Sequence, residues 1–244
     1  MDNTIKAILF DLDGTLLDQM EAFLPNYFQG LAACVAHILP PDEFITHLMR
    51  ASNAMMANDG RATNEEVFAA AFYPLAGHSR QELEPIFMDF YANDHPALRR
   101  YTRRKPEAHQ VVQKAFALGY DVVVATNPVF PDTAIEQRLQ WAGVTDFPYQ
   151  LVTTYENSRA CKPNLLYYEQ ILESIGYRAE ACLMVGDEDG DMVAAHLGCA
   201  TFLACPERSR RVTGPIKKLD PATPEPTYRG TLADLGALLQ SWNR

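Results

Sequence analysis

The sequence predicts an α/β fold, a doubly wound parallel sheet interrupted after its first strand by an all-helical insert. Three observations carry this expectation. Short apolar runs without period-2 alternation recur along the chain, helical patterns separate them, and one long stretch holds helical patterns with no such run. Apolar runs of this kind suit strands covered on both faces, as in a parallel sheet. Alternation of strands with helices implies βαβ units.

The runs are AILF before Asp11, VVVA before Thr126, CLMV before Gly186 and CATFLA shortly before Pro206, with YQLVTTY at 149–155 a weaker candidate. Val112, Ala115, Phe116 and Gly119 make a helical pattern before the second run. Ile135, Leu139 and Ala142 come after it, and Gly143 is a natural stop. Leu165, Tyr168, Leu172 and Ile175 recur at helical spacing, with Pro163 expected at a first helical position and Gly176 after the end. Thr231 and Asp234 open a last helix carrying Leu232, Leu235, Leu239 and Trp242.

Between about 17 and 96 the alternation stops. Phe23, Tyr27, Leu31, Cys34 and Ile38 form one helical stripe, and Thr63/Glu66 and Ser79/Glu82 are capping-box pairs ahead of apolar-faced helices. The expected organisation is therefore a core of 1–16 and 97–244 with a helical cap of 17–96. The segment 206–226, rich in Pro and charge, reads as a surface excursion.

A chain of 244 residues can bury a core without metals or disulfides. Its net charge of −10 argues against nucleic acid or an anionic membrane surface as partner. No apolar stretch approaches the roughly 18 residues of a membrane span, and MDNTIK lacks a signal-peptide pattern. The five cysteines, odd in number and without a C-x-x-C pair, suit free thiols in a reducing cytoplasm. Oligomeric state is not legible.

Asp11 and Asp13 stand at the carboxyl end of the first strand, the edge where open α/β sheets bind ligands. Residues two apart on an extended chain point to one side, so both carboxylates can face one site. Gly14 permits a sharp turn and Thr15 can cap the element after it. Thr126 and Asn127 end the second strand with a hydroxyl and an amide suited to phosphate oxygens. Lys162 precedes a helix start, where the dipole favours anions. GDEDGD, at 186–191, places four carboxylates in five positions behind a strand. An EF-hand loop fails here, because Met192 stands where its Gly is needed and Gly198 where its bidentate Glu is needed.

These four elements, DLDGT, Thr126-Asn127, Lys162-Pro163 and G-D-x-x-x-D, stand in the order of the four motifs of the haloacid dehalogenase (HAD) superfamily. The chain resembles that family, and its insert resembles the helical C1-type cap of phosphoglycolate-phosphatase-like members. The resemblance implies a Rossmann-like core and a magnesium-dependent phosphatase acting on a small phosphorylated metabolite. Asp11 would be the nucleophile that forms an aspartyl-phosphate and Asp13 the proton donor. Thr126, Asn127 and Lys162 would bind the phosphoryl group. Asp11, Asp13 through its backbone carbonyl, Asp187 and Asp191, the last through water or by orienting Lys162, would serve a Mg2+ ion. Glu188 and Asp189 have no assigned role beyond solvated or helix-capping acids. Dehalogenases of the family carry another residue where Asp13 stands, whereas sugar phosphomutases of the β-phosphoglucomutase type keep both aspartates. A phosphomutase and a non-catalytic phospho-ligand sensor are the alternatives. LRRYTRRK at 98–105 reads as a solvated hinge face where the insert returns.

Overall fold

The computed structural model of the chain describes residues 5–205 and 219–242. Its strands are β1 (Ala7–Phe10), β2 (Leu17–Gln19), β3 (Thr102–Arg104), β4 (Asp121–Val124), β5 (Leu151–Val152), β6 (Cys182–Gly186), β7 (Ala200–Ala204) and β8 (Tyr228–Gly230). Six of them make one parallel sheet in the order β5-β4-β1-β6-β7-β8. All four residues of the central β1 are buried, which is why no alternation shows in its sequence. Its side chains still divide by period two. Ile8 and Phe10 join Val122, Val124, Leu183 and Val185 on one face, while Ala7 and Leu9 join Val123, Cys182 and Met184 on the other.

Four α-helices stand between β2 and β3, α1 (Phe23–Val35), α2 (Pro41–Met56), α3 (Asn64–Ala76) and α4 (Arg80–Asn93), followed by a 3-10 helix over His95–Tyr101. The sheet helices are α5 (Pro106–Ala117), α6 (Asp132–Ala142), α7 (Leu165–Ile175), α8 (Asp189–Met192) and α9 (Leu232–Trp242). β2 and β3 pair antiparallel, so the chain leaves for the helical insert and returns from it along one two-stranded ribbon. The basic run lies on this return: Lys105 pairs with Asp18 at 2.8 Å and also donates to the Gly14 carbonyl. Both expected capping boxes form at α3 and α4, and Thr231 and Asp234 cap α9 reciprocally.

Several expectations need correction. No expected helix covers α2, although Phe44, Leu48, Ala51 and Met55 form its buried face at helical spacing. The first stripe ends at Val35 instead of reaching Ile38. Only two residues of YQLVTTY are strand, and β8 has no counterpart among the expected strands because three half-exposed residues at a sheet edge carry no apolar run. Pro163 is not in the first turn of α7: Asn164 is the N-cap, its side chain accepting from the Leu166 amide, and Lys162 stands two residues earlier. Of the surface excursion, 206–218 lies outside the described residues, and 219–226 contains no helix or strand.

Two buried polar nodes tie the insert to the core. Asn64 Nδ2, fully buried, donates to the Pro128 carbonyl at 2.9 Å and to the Ala160 carbonyl at 3.3 Å. His95, stacked on Trp141, faces Gln137 at 2.8 Å through Nδ1. Gln137 donates its amide to the Tyr91 carbonyl, so its oxygen faces the ring and Nδ1 carries the proton. Nε2 is then the deprotonated nitrogen, buried and without a hydrogen-bond partner among the described residues. Protonating it would bury a charged, unsatisfied N–H, and burial accordingly pushes the His95 pKa down to about 4 from the usual 6.5.

The folded protein thus binds fewer protons than the unfolded chain between about pH 4 and 6.5, and stability should climb as pH rises through that window. The gain from this one residue is on the order of 3 kcal/mol. Urea unfolding across the window should show the slope, and His95→Phe should flatten it while keeping the ring stack on Trp141.

Candidate active site

The register of the sheet assembles the site. Phe10 of β1 lies beside Val124 of β4 and Val185 of β6, so three strands end level and their next residues emerge along one edge. Asp11 follows β1, Thr126 follows β4, and Asp187 follows β6. Lys162 arrives from the loop ahead of α7. These residues, with Asp13, Asn127 and Asp191, line one cleft of about 750 Å³. Every residue predicted for the site therefore meets in it.

The centre is a buried clamp. Lys162 Nζ donates to Asp11 Oδ1 at 2.8 Å and to Asp191 Oδ1 at 2.5 Å, and all three residues are less than a tenth exposed. Burial opposes the charge on Lys162, but the two carboxylates outweigh it and hold the ammonium well above the usual lysine range. Burial pushes Asp191 up to about 7, with Lys162 pulling the other way. The second oxygen of Asp191 accepts from the Glu188 amide, fixing its carboxylate plane. Asn127 contributes differently from expectation: its Oδ1 accepts from the Lys162 backbone amide at 3.1 Å, so it positions the lysine loop.

Asp13 lies beyond the end of β1, and the turn around it sets its orientation: the Leu16 and Leu17 amides donate to the Leu12 carbonyl and the Gly14 amide to the Leu17 carbonyl. Its carboxylate takes an ion pair from Arg138 and accepts from Gln19 Nε2 at 2.6 Å. Burial raises its pKa against the pull of Arg138. Arg138, almost fully buried, lies over the Phe130 ring at 4.3 Å. Sequence reasoning missed this arginine, yet a signal was available, since position 138 falls on the apolar face marked by Ile135, Leu139 and Ala142. A charge there needs a partner. Gln19, on β2 and outside every motif, gave no signal.

Two glycines make room for the acids. At Gly14, with φ of +89°, a Cβ would collide with the Asp187 carboxylate, and at Gly186 a Cβ would collide with that of Asp191. Thr15 does not cap a helix, because β2 comes next; its hydroxyl donates to Asp187 Oδ1 at 3.3 Å. The acids without an assigned role also find places. Glu188 is the N-cap of α8, and Asp189 accepts from the Asp220 amide at 2.7 Å and the Thr223 hydroxyl at 2.6 Å, tying down the chain that leads to β8.

Asp11, Asp187 and Asp191 bring carboxylate oxygens within 4.8 Å of one another. An all-oxygen donor set of this kind fits a hard divalent ion such as Mg2+.

Fold and site together define a hydrolase-type centre in which acidic residues and a lysine meet at the carboxyl edge of a parallel sheet. The family profile of haloacid dehalogenase-like hydrolases matches residues 5–197, and the chain belongs to that family. It is 26% identical over 199 residues to a phosphoglycolate phosphatase of Vibrio parahaemolyticus, covering 81% of this chain and 82% of that one. It is 29% identical over 189 residues to a pyrimidine 5′-nucleotidase of Streptococcus pneumoniae, covering 75% of each. In fold it is similar to a 2-haloacid dehalogenase of Pseudomonas syringae, with a TM-score of 0.65 and 19% identity over 98% of this chain and all (100%) of that one. Among the described residues no helix is long and apolar enough to cross a membrane.

Removing the cation of the clamp should be costly. Lys162→Met would leave two buried carboxylates facing each other and should destabilise the metal-free protein by about 3–5 kcal/mol. Millimolar magnesium should restore part of that loss. Denaturant midpoints with and without the metal check both expectations, and an unchanged midpoint in the metal-free variant would contradict them.

Proposed function

We propose that the protein is a magnesium-dependent phosphatase that hydrolyses a small phosphorylated metabolite through an aspartyl-phosphate on Asp11. The observation that carries the reading is the clamp. Lys162 holds Asp11 in place while Asp13, anchored by Arg138, lines the same cleft. The named relatives act on phosphate esters, which agrees with this reading.

Hydrolysis of a phosphate monoester needs an in-line nucleophile and positive charge around the transferring group. Asp11, held by Lys162, attacks phosphorus. Asp13 gives a proton to the departing oxygen and then takes one from the water that hydrolyses the intermediate. Its fixed anchors, Arg138 and Gln19, hold the carboxyl where both transfers occur. The Thr126 hydroxyl and the Lys162 ammonium bind the phosphoryl oxygens, and Asn127 sets the lysine loop. Asp191 keeps Lys162 aimed at Asp11. Mg2+, held by Asp11, the Asp13 carbonyl and Asp187, with Asp191 behind them, would supply Lewis-acid charge for the phosphoryl group. Residues 17–96 act as a cap that covers the cleft and contacts the rest of the substrate. All five cysteines are free thiols, in keeping with a cytoplasmic enzyme.

Asp11→Asn should abolish turnover of p-nitrophenyl phosphate with the fold intact by circular dichroism, and retained activity would refute the nucleophile. Asp13→Asn should slow alkyl phosphates far more than aryl phosphates, whose leaving groups need little protonation; equal slowing would remove Asp13 from the proton transfer. EDTA should silence the enzyme and added magnesium restore it. Conversion of a hexose 1-phosphate to its 6-phosphate without phosphate release would assign a phosphomutase instead.

A further inference from the structure

From the lining and position of a second cavity we infer that the organic part of the substrate is apolar, an aryl or branched alkyl group that enters a pocket within the helical insert. This inference rests on the phosphatase reading above. The cavity, of about 340 Å³, lies among α1, α2, α3 and α4, and is walled on the core side by Val129, Phe130, Pro131 and Tyr155. The segment 129–131 follows Thr126 and Asn127 with only Pro128 between. Met56 lines both this cavity and the catalytic cleft, and Asn127 Nδ2 touches its sulfur at 3.6 Å. Met56 therefore joins the cleft beside Asp11 to the cavity.

The chemistry of the wall selects the occupant. No Lys, Arg or His lines it among the described residues, and its one charged residue, Glu84, is paired with Arg80 at 2.6 Å. The two buried tyrosine hydroxyls, of Tyr27 and Tyr91, bond each other at 2.8 Å. A carboxylate or a second phosphate on the substrate would meet no cation there and would lose its hydration. Four of the six exposed large hydrophobic side chains among the described residues, Leu24, Met49, Met56 and Met88, line this one cavity. Methionines are flexible enough to wrap a variable apolar group. A cavity of roughly 150 Å³ holds benzene, so this one has space for a bicyclic or medium-chain group.

The test is a series of n-alkyl phosphates from ethyl to octyl, with phosphoglycolate alongside, assayed by phosphate release with magnesium present. kcat/KM should rise about fourfold per methylene until the cavity is full, and phosphoglycolate should fall below ethyl phosphate. Ser52→Trp, which narrows the cavity, should cut the octyl-to-ethyl ratio by at least about tenfold. In parallel, calorimetry of the matching alkylphosphonates reads tail binding without turnover. Turnover that ignores chain length, or that favours phosphoglycolate, overturns the apolar pocket and leaves the phosphatase standing. Failure of every phosphate ester, with phosphonate affinity still climbing along the series, removes the phosphatase and keeps the pocket. Flat affinity and no turnover remove both. A stable dimer by sedimentation, with tails indifferent, gives the apolar rim to a second copy instead.

Discussion

The structure depends on one buried cation. Lys162 stands between Asp11, just past β1, and Asp191 on α8, all three largely buried at the sheet edge. Burial pushes the Asp191 carboxyl up, and Lys162 pulls it back toward the ionised form. The surrounding sequence serves that clamp. Gly186 yields its side-chain space to Asp191, Asn127 fixes the loop that delivers the lysine, and the Glu188 amide locks the far acid.

A second ion pair works in a different medium. Arg138 reaches Asp13 from α6, stacked on Phe130, and so links the turn after β1 to the helix after β4. The same turn is gripped by Lys105 from the returning ribbon. The insert's exit and entry are thus bonded to the loop that carries Asp13.

Much of this was legible in the sequence because the determinants are local. A buried parallel strand writes itself as an unbroken apolar run, and a sheet edge that carries function writes itself as an abrupt change to Asp, Thr or Gly. The capping boxes at Thr63, Ser79 and Thr231 announced their helices for the same reason. What escaped was set by tertiary contact. The pairing of Arg138 with Asp13 spans 125 residues, and only its position on an apolar helix face hinted at it. Pro163 suggested a helix start, but the chain needs Lys162 in the loop before α7 to reach Asp11, and the cap passed to Asn164. β8 is a short edge strand whose pairing with β7, not its composition, makes it a strand. The apolar cavity is assembled from separate helices and loops, so no contiguous pattern could show it.

If the clamp serves the chemistry proposed for it, the aspartate after β1 becomes covalently phosphorylated during turnover. Rapid acid quenching during turnover of a radiophosphate-labelled aryl phosphate, with proteolysis and peptide mapping afterwards, tests this directly. Transient, hydroxylamine-sensitive label is expected on the peptide that contains Asp11, absent from the Asp11→Asn variant. Hydrolysis at full rate with no labelled protein at any quench time, or label on another residue, would contradict it.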